Sequence, residues 1–323
     1  MFNKSIFENI VNNANHILIS AHILPDADAI CAVQLMRHLL DRQFGRDCDI
    51  CIADNVGKLL VPFAKNLTPF ENLTKKYDLV IACDSADISR LGKIKPIFVN
   101  SKKTINIDHH ESNPNYADLN IVDKNASSTC ELIYNICLKH YPDIIDLQMA
   151  NLTYAGIITD TNGLMANNLQ ARTFLTIADI MNRGLNIDII KNYFFKSFSK
   201  AKLQLLGKAL NSITFYNSNK TAVIIISKQD FINSNASFND TLGIIDYALN
   251  CYLTDIAIAV IESEHNKFYV SLRSKKTDVS TIAKEFGGGG NPTMAAFQYN
   301  GEQSDFMPKL LDICGKTTLT NRK

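Results

Sequence analysis

The chain has 323 residues, of which 46% are hydrophobic, and this length suggests two domains with ordinary apolar cores. Its 33 Lys and Arg residues balance 32 Asp and Glu residues, which argues against a protein that coats long duplex nucleic acid through a wide basic surface. No run of 18 apolar residues predicts a membrane span, and we expect no signal peptide because the N-terminus lacks a long apolar region.

The eight cysteines are scattered along the chain, and several lie within apolar runs. This pattern predicts reduced, buried thiols and therefore a cytoplasmic protein. Cys48 and Cys51 have the C-x-x-C spacing of a zinc or redox site, but no second pair accompanies them. The surrounding sequence DCDICIAD alternates like a β-strand, so we expect no metal or redox role there.

The N-terminal part contains four short apolar runs rich in β-branched residues, which we predict as parallel strands buried on both faces. They cover residues 16–19, 79–82, 104–107 and 155–158. Helical patterns, such as those at 29–40 and 129–139, lie between them. Strands that alternate with helices indicate a doubly wound α/β domain with a mainly parallel sheet, to which we assign residues 1–187.

A basic helical pattern at 188–212 predicts a linker, and we assign a smaller α/β domain to residues 213–323. The aromatic residues at 193–198 are interpreted as packing of the linker and not as a base-stacking platform. The last nine residues, GKTTLTNRK, are predicted to fray. The strands and helices predicted in the smaller domain lie at 221–226, 242–249, 256–261, 268–273 and 280–285.

Each of the four N-terminal apolar runs is followed by acidic or imidazole residues. The four continuations are AHILPDAD, CDSAD, DHH and TDTNG. In open α/β sheets, ligands bind at the carboxyl ends of the parallel strands. A single Asp after a strand is often only a helix cap, but four polar clusters at four strand ends would converge on one place. We therefore predict a functional site at this edge of the sheet.

The predicted site is rich in metal ligands. His22, Asp26 and Asp28 share one loop, which Pro25 stiffens because proline fixes its φ angle. Carboxylates and imidazoles without thiolates favour Mn²⁺ as the ion, with Mg²⁺ or Co²⁺ as alternatives. The other polar residues come from the later clusters: Asp84, Asp108, His109, His110 and Asp160.

The charge of this set predicts two ions. Asp26, Asp28, Asp84 and Asp160 would carry four negative charges, and unpaired carboxylates in one dry pocket raise one another's pKa. Two divalent cations would neutralise these charges. A pair of ions roughly 3.5–4 Å apart clamps both oxygens of an in-line phosphoryl displacement and activates a bridging water. The sequence therefore predicts a two-metal phosphoesterase.

These motifs resemble those of the DHH phosphoesterase superfamily, which has a RecJ-like fold. HILPDAD, CDSADISRLG, NIDHHESN with NASSTCELI, and GIITDT resemble its four motifs in order. SLRSK and FGGGGNPTMAAF resemble its DHHA1 substrate-binding domain. The resemblance extends from about residue 16 to residue 297, and the layout is most similar to the nano-RNase/pAp phosphatase group.

The resemblance implies a division of roles within the site. Asp84 would bridge the two ions, His110 would face the scissile phosphate, and Asp108 would orient an imidazole. His110 and Asp108 are therefore the candidate catalytic residues. The remaining metal ligands would divide into His22 and Asp26 for the first ion and Asp28, His109 and Asp160 for the second.

Four positions depart from the family pattern. Ala27, Asn162 and Ala296 stand where Gly is frequent. Asn291 stands where the glycine loop of the family normally ends in His. We therefore expect an intact metal site and an altered substrate side.

A candidate phosphate site lies in the second domain. Arg273 ends an apolar strand, and the glycine run would let backbone N–H groups approach a phosphate that Arg273 also binds. A flexible loop is the alternative interpretation of GGGG taken alone. A phosphate clamp favours mono- or dinucleotide ends and very short RNA over polymers. The candidate substrate-binding residues are Arg273, Gly288, Gly289, Gly290 and Asn291.

Four functions are compatible with these features. The first is a metal-dependent phosphoesterase that hydrolyses short oligoribonucleotides, nucleoside 3′,5′-bisphosphates, or both. The enzymatic alternatives are a pyrophosphatase or polyphosphatase, which would resemble only the first domain, and a cyclic-dinucleotide phosphodiesterase. The non-enzymatic alternative is a nucleotide-binding sensor, which loss of a metal ligand would support. The oligomeric state is open, and a homodimer is one of its outcomes.

Some residues near the motifs have two interpretations. Arg90 and Arg172 would either contact phosphate or form structural salt bridges. The histidines outside the motifs are interpreted as surface or structural residues, and they are His16, His38, His140 and His265.

Overall fold

The computed structural model describes residues 2–166 and 168–320. The chain forms two compact units, Met1–Ser197 and Phe198–Lys323. Among the described residues, no helix combines the length and the apolar character that crossing a membrane requires.

The first unit is built on a parallel sheet. Its strands are β1 (Ile17–Ala21), β2 (Asp49–Ile50), β3 (Leu79–Cys83), β4 (Lys103–Asp108) and β5 (Leu119–Val122). Its helices are α1 (Lys4–Asn12), α2 (Ala27–Phe44), α3 (Lys95–Asn100), α4 (Thr129–His140), α5 (Leu147–Asp160), α6 (Ala171–Asn182) and α7 (Ile187–Lys196). The strand order is β2-β1-β3-β4-β5, and every neighbouring pair is parallel.

Both faces of this sheet are buried, which explains its uniformly apolar strands. In β3, Leu79, Ile81 and Cys83 pack into a core that includes residues of α2, α4 and α5. Val80 and Ala82 pack into a second core that includes residues of α3. The predicted doubly wound α/β domain with a mainly parallel sheet is therefore confirmed.

The fourth predicted strand, at residues 155–158, is wrong because these residues lie within α5. This helix begins after Asp146, whose side chain accepts a hydrogen bond from the backbone N–H of Met149, and ends at Asp160. Buried residues occur on nearly every side of α5 because it packs in the core against α2 and α4. A short run that is buried all round has no periodicity that separates a strand from a helix.

The second unit has a mixed sheet. Its strands are β6 (Thr214–Tyr216), β7 (Thr221–Ile226), β8 (Ile256–Glu264), β9 (Lys267–Ser274), β10 (Gly289–Asn291) and β11 (Met294–Asn300). Its helices are α8 (Lys200–Asn211), α9 (Lys228–Ser234), α10 (Ile244–Leu249), α11 (Val279–Lys284) and α12 (Gln303–Thr320). The strand order is β10-β11-β9-β8-β7-β6, in which only β7 and β8 are parallel neighbours.

The predicted elements of the second unit are confirmed by β7, β8, β9, α10 and α11. The helical segment predicted at 188–212 consists of α7 in the first unit and α8 in the second. Residues 315–320, which were predicted to fray, continue α12 as a helix. The rest of that predicted frayed segment, 321–323, lies outside the described residues.

Candidate metal centre

The carboxyl ends of three neighbouring strands lie side by side in the first unit. The register aligns the last residue of β1 with the last residue of β3, and the last residue of β3 with the penultimate residue of β4. The next residues along the chain are His22, Asp84 and Asp108, which therefore meet at one edge of the sheet. Three of the four predicted polar clusters converge through strands, and the fourth reaches the same place through the end of α5.

Asp84 is the centre of this arrangement. Its side chain is buried, and its Oδ2 lies 3.6 Å from His22 Nε2. Its Oδ1 lies 3.7 Å from both His109 Nε2 and His110 Nδ1. The Thr129 hydroxyl donates a hydrogen bond to the same Oδ1 at 2.8 Å. One carboxylate thus faces three imidazoles.

The backbone of Asp84 is strained. Its φ angle is +53°, in the left-handed region, which costs a residue with a Cβ atom about 1–2 kcal/mol. Its N–H nevertheless donates to the carbonyl of Ile107 at 2.9 Å, so the β3–β4 ladder continues up to this residue. Strain of this kind concentrates at functional sites, where the surrounding structure holds it in place.

The charges around Asp84 keep it ionised. Burial alone would raise the pKa of Asp84, but the hydrogen bond with His22 and the charges of His109 and His110 lower this pKa to about 2. Burial would lower the pKa of His109, but the carboxylates of Asp28, Asp84 and Asp160 raise it to about 9. Asp84 and His109 therefore stabilise each other's charged form.

Asp26 and Asp28 come from the start of α2. Asp26 caps the helix by accepting a hydrogen bond from Ala29 N at 3.0 Å, and its other oxygen lies 3.8 Å from His22 Nε2. Asp28 is fully buried, and burial together with the charge of Asp84 raises its pKa. Its two oxygens accept hydrogen bonds from the first N–H groups of α4, those of Thr129 at 2.7 Å and Cys130 at 3.0 Å. The start of α4 therefore fixes the Asp28 carboxylate.

Asp160 enters the site from the C-terminal end of α5. Its Oδ2 lies 3.4 Å from His109 Nε2, and burial raises its pKa to about 6. The C-terminal end of a helix carries partial negative charge, so a carboxylate there is unfavourable unless a cation is close. The other ring nitrogen of His109 lies 3.2 Å from the carbonyl of Ala126, which directs Nε2 towards the carboxylates. Both features fit a bound cation.

The donor atoms form three overlapping clusters, each with its ligand atoms within 4.8 Å of one another. Asp84 belongs to two of them, and so does His109. One cluster equals the set implied for the first ion, and another lacks only Asp84 from the set implied for the second. The third makes His110 a candidate ligand as well. The clusters are His22–Asp26–Asp84, Asp28–His109–Asp160 and Asp84–His109–His110.

His110 is held by a buried polar network. Its Nδ1 lies 2.7 Å from Asp108 Oδ1, and Asn113 donates to the other oxygen of Asp108 at 2.6 Å. Burial lowers the pKa of His110, but the hydrogen bond with Asp108 together with the negative charges of Asp84 and Asp108 offsets this and leaves the pKa raised. This contact fixes the ring orientation and leaves Nε2 for other partners. Asn113 had no assigned role in the sequence, although it lies within the motif NIDHHESN.

Arg172 and Arg90, which each had two interpretations from the sequence, have different partners in the structure. Arg172 Nη1 lies 2.6 Å from Asp123 Oδ2, and its Nε lies 3.1 Å from the buried Glu131, so Arg172 forms a structural ion-pair network. Arg90 Nη2 lies instead 3.1 Å from His22 Nδ1. Arg90 therefore borders the candidate metal ligands through His22.

Four of the five candidate substrate residues of the second unit line a cavity of about 390 Å³. Arg273 lies on β9, and its Nε is 3.9 Å from Asp246 Oδ1. Gly289, Gly290 and Asn291 also line the cavity. Gly288 is the one candidate outside this lining. Aromatic and aliphatic side chains complete the wall, among them Phe238, Leu242 and Tyr269.

The glycine run is an edge strand and not an open loop. Gly289–Asn291 form β10, which pairs with β11 in a hairpin. A Cβ atom at Gly288 or Gly290 would overlap the backbone of β11, so close packing requires both glycines. Gly289 meets nothing within 4 Å and has no left-handed φ angle. At Gly289, therefore, neither packing nor backbone geometry explains the glycine.

Two family models match the chain: the DHH family, N-terminal domain, at residues 16–157, and the DHHA1 domain at residues 230–314. The probable bifunctional oligoribonuclease and PAP phosphatase NrnA of Streptococcus mutans is 26% identical over 279 residues, which cover 85% of this chain and 87% of that protein. The bifunctional oligoribonuclease and PAP phosphatase NrnA of Bacillus subtilis is 25% identical over 296 residues, which cover 90% and 91%.

Solved structures share the fold of this chain. The crystal structure of an exopolyphosphatase-related protein from Bacteroides fragilis has a TM-score of 0.88 at 22% sequence identity, and the match covers 98% of this chain and 97% of that one. A pGpG-specific phosphodiesterase from Vibrio cholerae has a TM-score of 0.52 at 14% identity, covering 93% and 99%. With one family model in each unit and relatives along most of its length, the chain belongs to the DHH/DHHA1 phosphoesterases, as a nano-RNase/pAp phosphatase-like member.

Proposed function

We propose that this protein is a divalent-metal-dependent phosphoesterase that hydrolyses short oligoribonucleotides and nucleoside 3′,5′-bisphosphates. The observation that carries the proposal is the set of three carboxylate–imidazole clusters, which are linked because Asp84 and His109 each belong to two of them. The substrate class is supported by relatives whose names describe an oligoribonuclease and PAP phosphatase.

We assign two ions, Mn²⁺ in the first instance, to the clustered ligands. His22, Asp26 and Asp84 would hold one ion, in keeping with the cluster that they form. The second would be held by Asp28, Asp84, His109 and Asp160. When bound, such ions polarise a phosphoryl oxygen and lower the pKa of a water molecule to near neutrality. The carboxylates and imidazoles of this site supply the hard or borderline donors that these ions prefer.

We assign His110 to the phosphate and Asp108 to the support of His110. Because Nδ1 of His110 faces Asp108, its Nε2 is the atom that would donate a hydrogen bond or a proton to a phosphate oxygen. Asp108 is itself fully buried and held by Asn113, so it keeps the ring in one orientation. Asp108 is therefore a positioning residue in this proposal.

We assign nucleotide binding to the cavity of the second unit. Arg273 would pair with a phosphate, and Gly289 would let the backbone approach it. The exposed apolar surface of Phe238 and Leu242 on the same wall suits a nucleobase. In this proposal, the first unit binds the metal ions and the second unit binds the nucleotide.

The place of action and the assembly are also parts of the proposal. Cys31, Cys51, Cys83 and Cys130 are buried free thiols, which supports action in the reducing cytoplasm. We propose a homodimer as the oligomeric state, and the molar mass from light scattering at several protein concentrations would test it.

The test is Mn²⁺-dependent hydrolysis of a substrate panel by the whole chain. The panel contains a dinucleotide, a five-residue RNA, a 20-residue RNA, adenosine 3′,5′-bisphosphate, a cyclic dinucleotide and pyrophosphate. We expect rapid turnover of the dinucleotide, the five-residue RNA and the bisphosphate. The 20-residue RNA and pyrophosphate should react at least about 100-fold more slowly, a difference of about 2.7 kcal/mol in activation free energy.

Other outcomes of the panel select other functions. Preference for pyrophosphate would replace the proposal by a pyrophosphatase, and preference for the cyclic dinucleotide would replace it by a cyclic-dinucleotide phosphodiesterase. Tight nucleotide binding without turnover at saturating Mn²⁺, Mg²⁺ or Co²⁺ would indicate a sensor.

A further inference from the structure

A cationic cavity lies beside the C-terminal half of α2, whereas the candidate metal ligands lie at the other end of this helix. The cavity measures about 170 Å³, and its lining includes Arg37, Arg42 and Lys65 together with the carboxylate of Asp41. Among the described residues, none of these three cations forms an ion pair. Three cations against one carboxylate concentrate positive charge locally in a chain whose net charge is only +1.

The start of α5 adds hydrogen-bond donors near the cationic cavity. Gln148, in the first turn of α5, also lines the cationic cavity. Asp146 caps the N–H of Met149, but the N–H groups of Leu147 and Gln148 have no acceptor among the described residues. These two N–H groups are hydrogen-bond donors for a phosphate, while the capping carboxylate of Asp146 offsets the helix dipole, so the attraction for an anion comes from the three cations.

A larger cavity of about 380 Å³ adjoins the cationic one and shares Gln34, Lys65 and Gln148 with it. This size falls in the range of about 300–1,000 Å³ that is typical of small-molecule sites. Its wall is formed by the apolar side chains of Phe63, Leu152 and Ile190 and by side-chain amides. Among these amides, Gln34 donates to the carbonyl of Lys65 at 2.7 Å, and no donor among the described residues bonds to its own carbonyl oxygen.

We propose that the two adjoining cavities form a second nucleotide site, which binds a nucleoside monophosphate outside the metal centre and outside the cavity of the second unit. The larger cavity takes the base, because apolar walls with a few amides suit a flat heterocycle with polar edges. The cationic cavity takes the phosphate through Arg37, Arg42 and Lys65. The inference stands on these cavities and does not rest on the proposed catalytic function.

Isothermal titration calorimetry of the whole chain tests this site. The protein carries Arg273→Ala, which weakens binding in the cavity of the second unit. It is kept in excess EDTA, which weakens binding at the metal centre. AMP, GMP, CMP and UMP are titrated separately, and inorganic phosphate is titrated alone. We expect at least one nucleotide to bind with one-to-one stoichiometry and at least about 10-fold more tightly than inorganic phosphate, because the base contributes contacts of its own.

Variants locate the binding. Arg42→Ala and Lys65→Ala change exposed cations, so the fold should survive, and each should weaken nucleotide binding at least about 10-fold. Leu147→Trp, at a half-exposed position on the wall of the larger cavity, should weaken it as well. Lys139→Ala removes an exposed cation of α4 that lies in neither lining and should leave the Kd unchanged.

Three results would overturn the proposal. The first is that none of the four nucleotides binds. The second is a Kd that Arg42→Ala and Lys65→Ala leave unchanged while circular dichroism shows a native fold. The third is inorganic phosphate binding as tightly as the nucleotides, which would leave a simple anion site.

Discussion

At Gly156, helix α5 packs closely against the candidate metal ligand Asp28. A Cβ atom at this position of α5 would overlap Asp28 Oδ1 and lie 2.5 Å from Cys130 Sγ. Neither neighbour can move freely, because Asp28 is hydrogen-bonded to the N–H groups of Thr129 and Cys130. A glycine here allows α5 to pack directly behind a candidate metal ligand.

The substitution Gly156→Ala should therefore damage both stability and metal binding. We expect the free energy of unfolding to fall by about 1–3 kcal/mol, the usual cost of overpacking a core. Mn²⁺ affinity should fall as well, because Asp28 is displaced. Gly207→Ala is the matched control: Gly207 also lies in a helix, α8, but has nothing within 4 Å of its Cβ position. It should stabilise the protein by up to about 1 kcal/mol. Equal effects of the two substitutions on urea unfolding and Mn²⁺ calorimetry would contradict this explanation.

Asn291 has a structural role that the sequence did not reveal. Its side-chain oxygen accepts hydrogen bonds from the N–H of Thr293 at 3.1 Å and from the hydroxyl of Thr293 at 3.2 Å. These bonds close the turn between β10 and β11, next to the cavity of the second unit. Asn at this position, in place of the His that the family resemblance predicts, therefore bears on both the shape of this hairpin and the chemistry of the cavity.

Asn291→His tests which of these two effects is larger. If His restores one hydrogen bond to the substrate, kcat/KM for a dinucleotide should rise several-fold, equal to about 1 kcal/mol. A gain that increases between pH 8 and pH 6 would show that the imidazole acts as a cation, since its ordinary pKa is about 6.5. Thr293→Ala, which removes the hydroxyl that bonds to Asn291, is the control for turn geometry. A loss of kcat/KM with both substitutions would show that turn geometry outweighs the chemical change.

At the scale of elements, the start of α4 organises one side of the metal centre. Ser128 caps this helix by accepting a hydrogen bond from the N–H of Glu131 at 3.0 Å. The N–H groups of Thr129 and Cys130, the first two residues of α4, donate hydrogen bonds to the carboxylate of Asp28. The position of Asp28 therefore depends on the start of α4, which the Ser128 cap stabilises.

Ser128→Ala should lower the free energy of unfolding by about 1 kcal/mol, the usual cost of losing a serine cap. It should also weaken Mn²⁺ binding, because the start of α4 no longer holds Asp28 in place. Ser199→Ala is the matched control, since Ser199 caps α8 in the second unit in the same way. It should cost similar stability without changing Mn²⁺ affinity. If Ser128→Ala leaves Mn²⁺ affinity at the wild-type value, α4 does not position the metal centre.

The central strands and the convergence of their polar ends could be predicted from the sequence because β1, β3 and β4 are apolar runs followed directly by polar residues. That Asp160 ends a helix and not a strand could not be predicted, because α5 is buried on nearly every side and its apolar run shows no helical periodicity. The hairpin at β10 was also missed, since the need for Gly288 and Gly290 comes from β11 and is visible only in three dimensions. Non-local contacts of this kind leave no trace in local sequence.

For the whole molecule, metal ions should stabilise the folded state. Ligands that bind only the folded chain stabilise it by about 2.7 kcal/mol for each site at one hundred times its Kd. Mn²⁺ should therefore raise the unfolding temperature relative to EDTA, and calorimetry of the wild type measures this shift. Arg273→Ala, which changes the second unit only, should keep the full shift. An unfolding temperature that is the same in Mn²⁺ and in EDTA would argue against metal sites in the folded protein.

The central claim is that Asp84 joins two metal ions into one hydrolytic centre. Asp84→Asn tests it with little change of fold, because Asn tolerates a left-handed φ angle and keeps an acceptor for the Thr129 hydroxyl. The measurement is dinucleotide hydrolysis at saturating Mn²⁺ by the wild type and by Asp84→Asn, with circular dichroism to verify the fold. The account predicts turnover by the wild type and a loss of at least about 10³-fold in the variant, or about 4 kcal/mol. A folded variant that keeps more than about a tenth of the wild-type rate, a loss of less than about 1.4 kcal/mol, would contradict the two-metal centre.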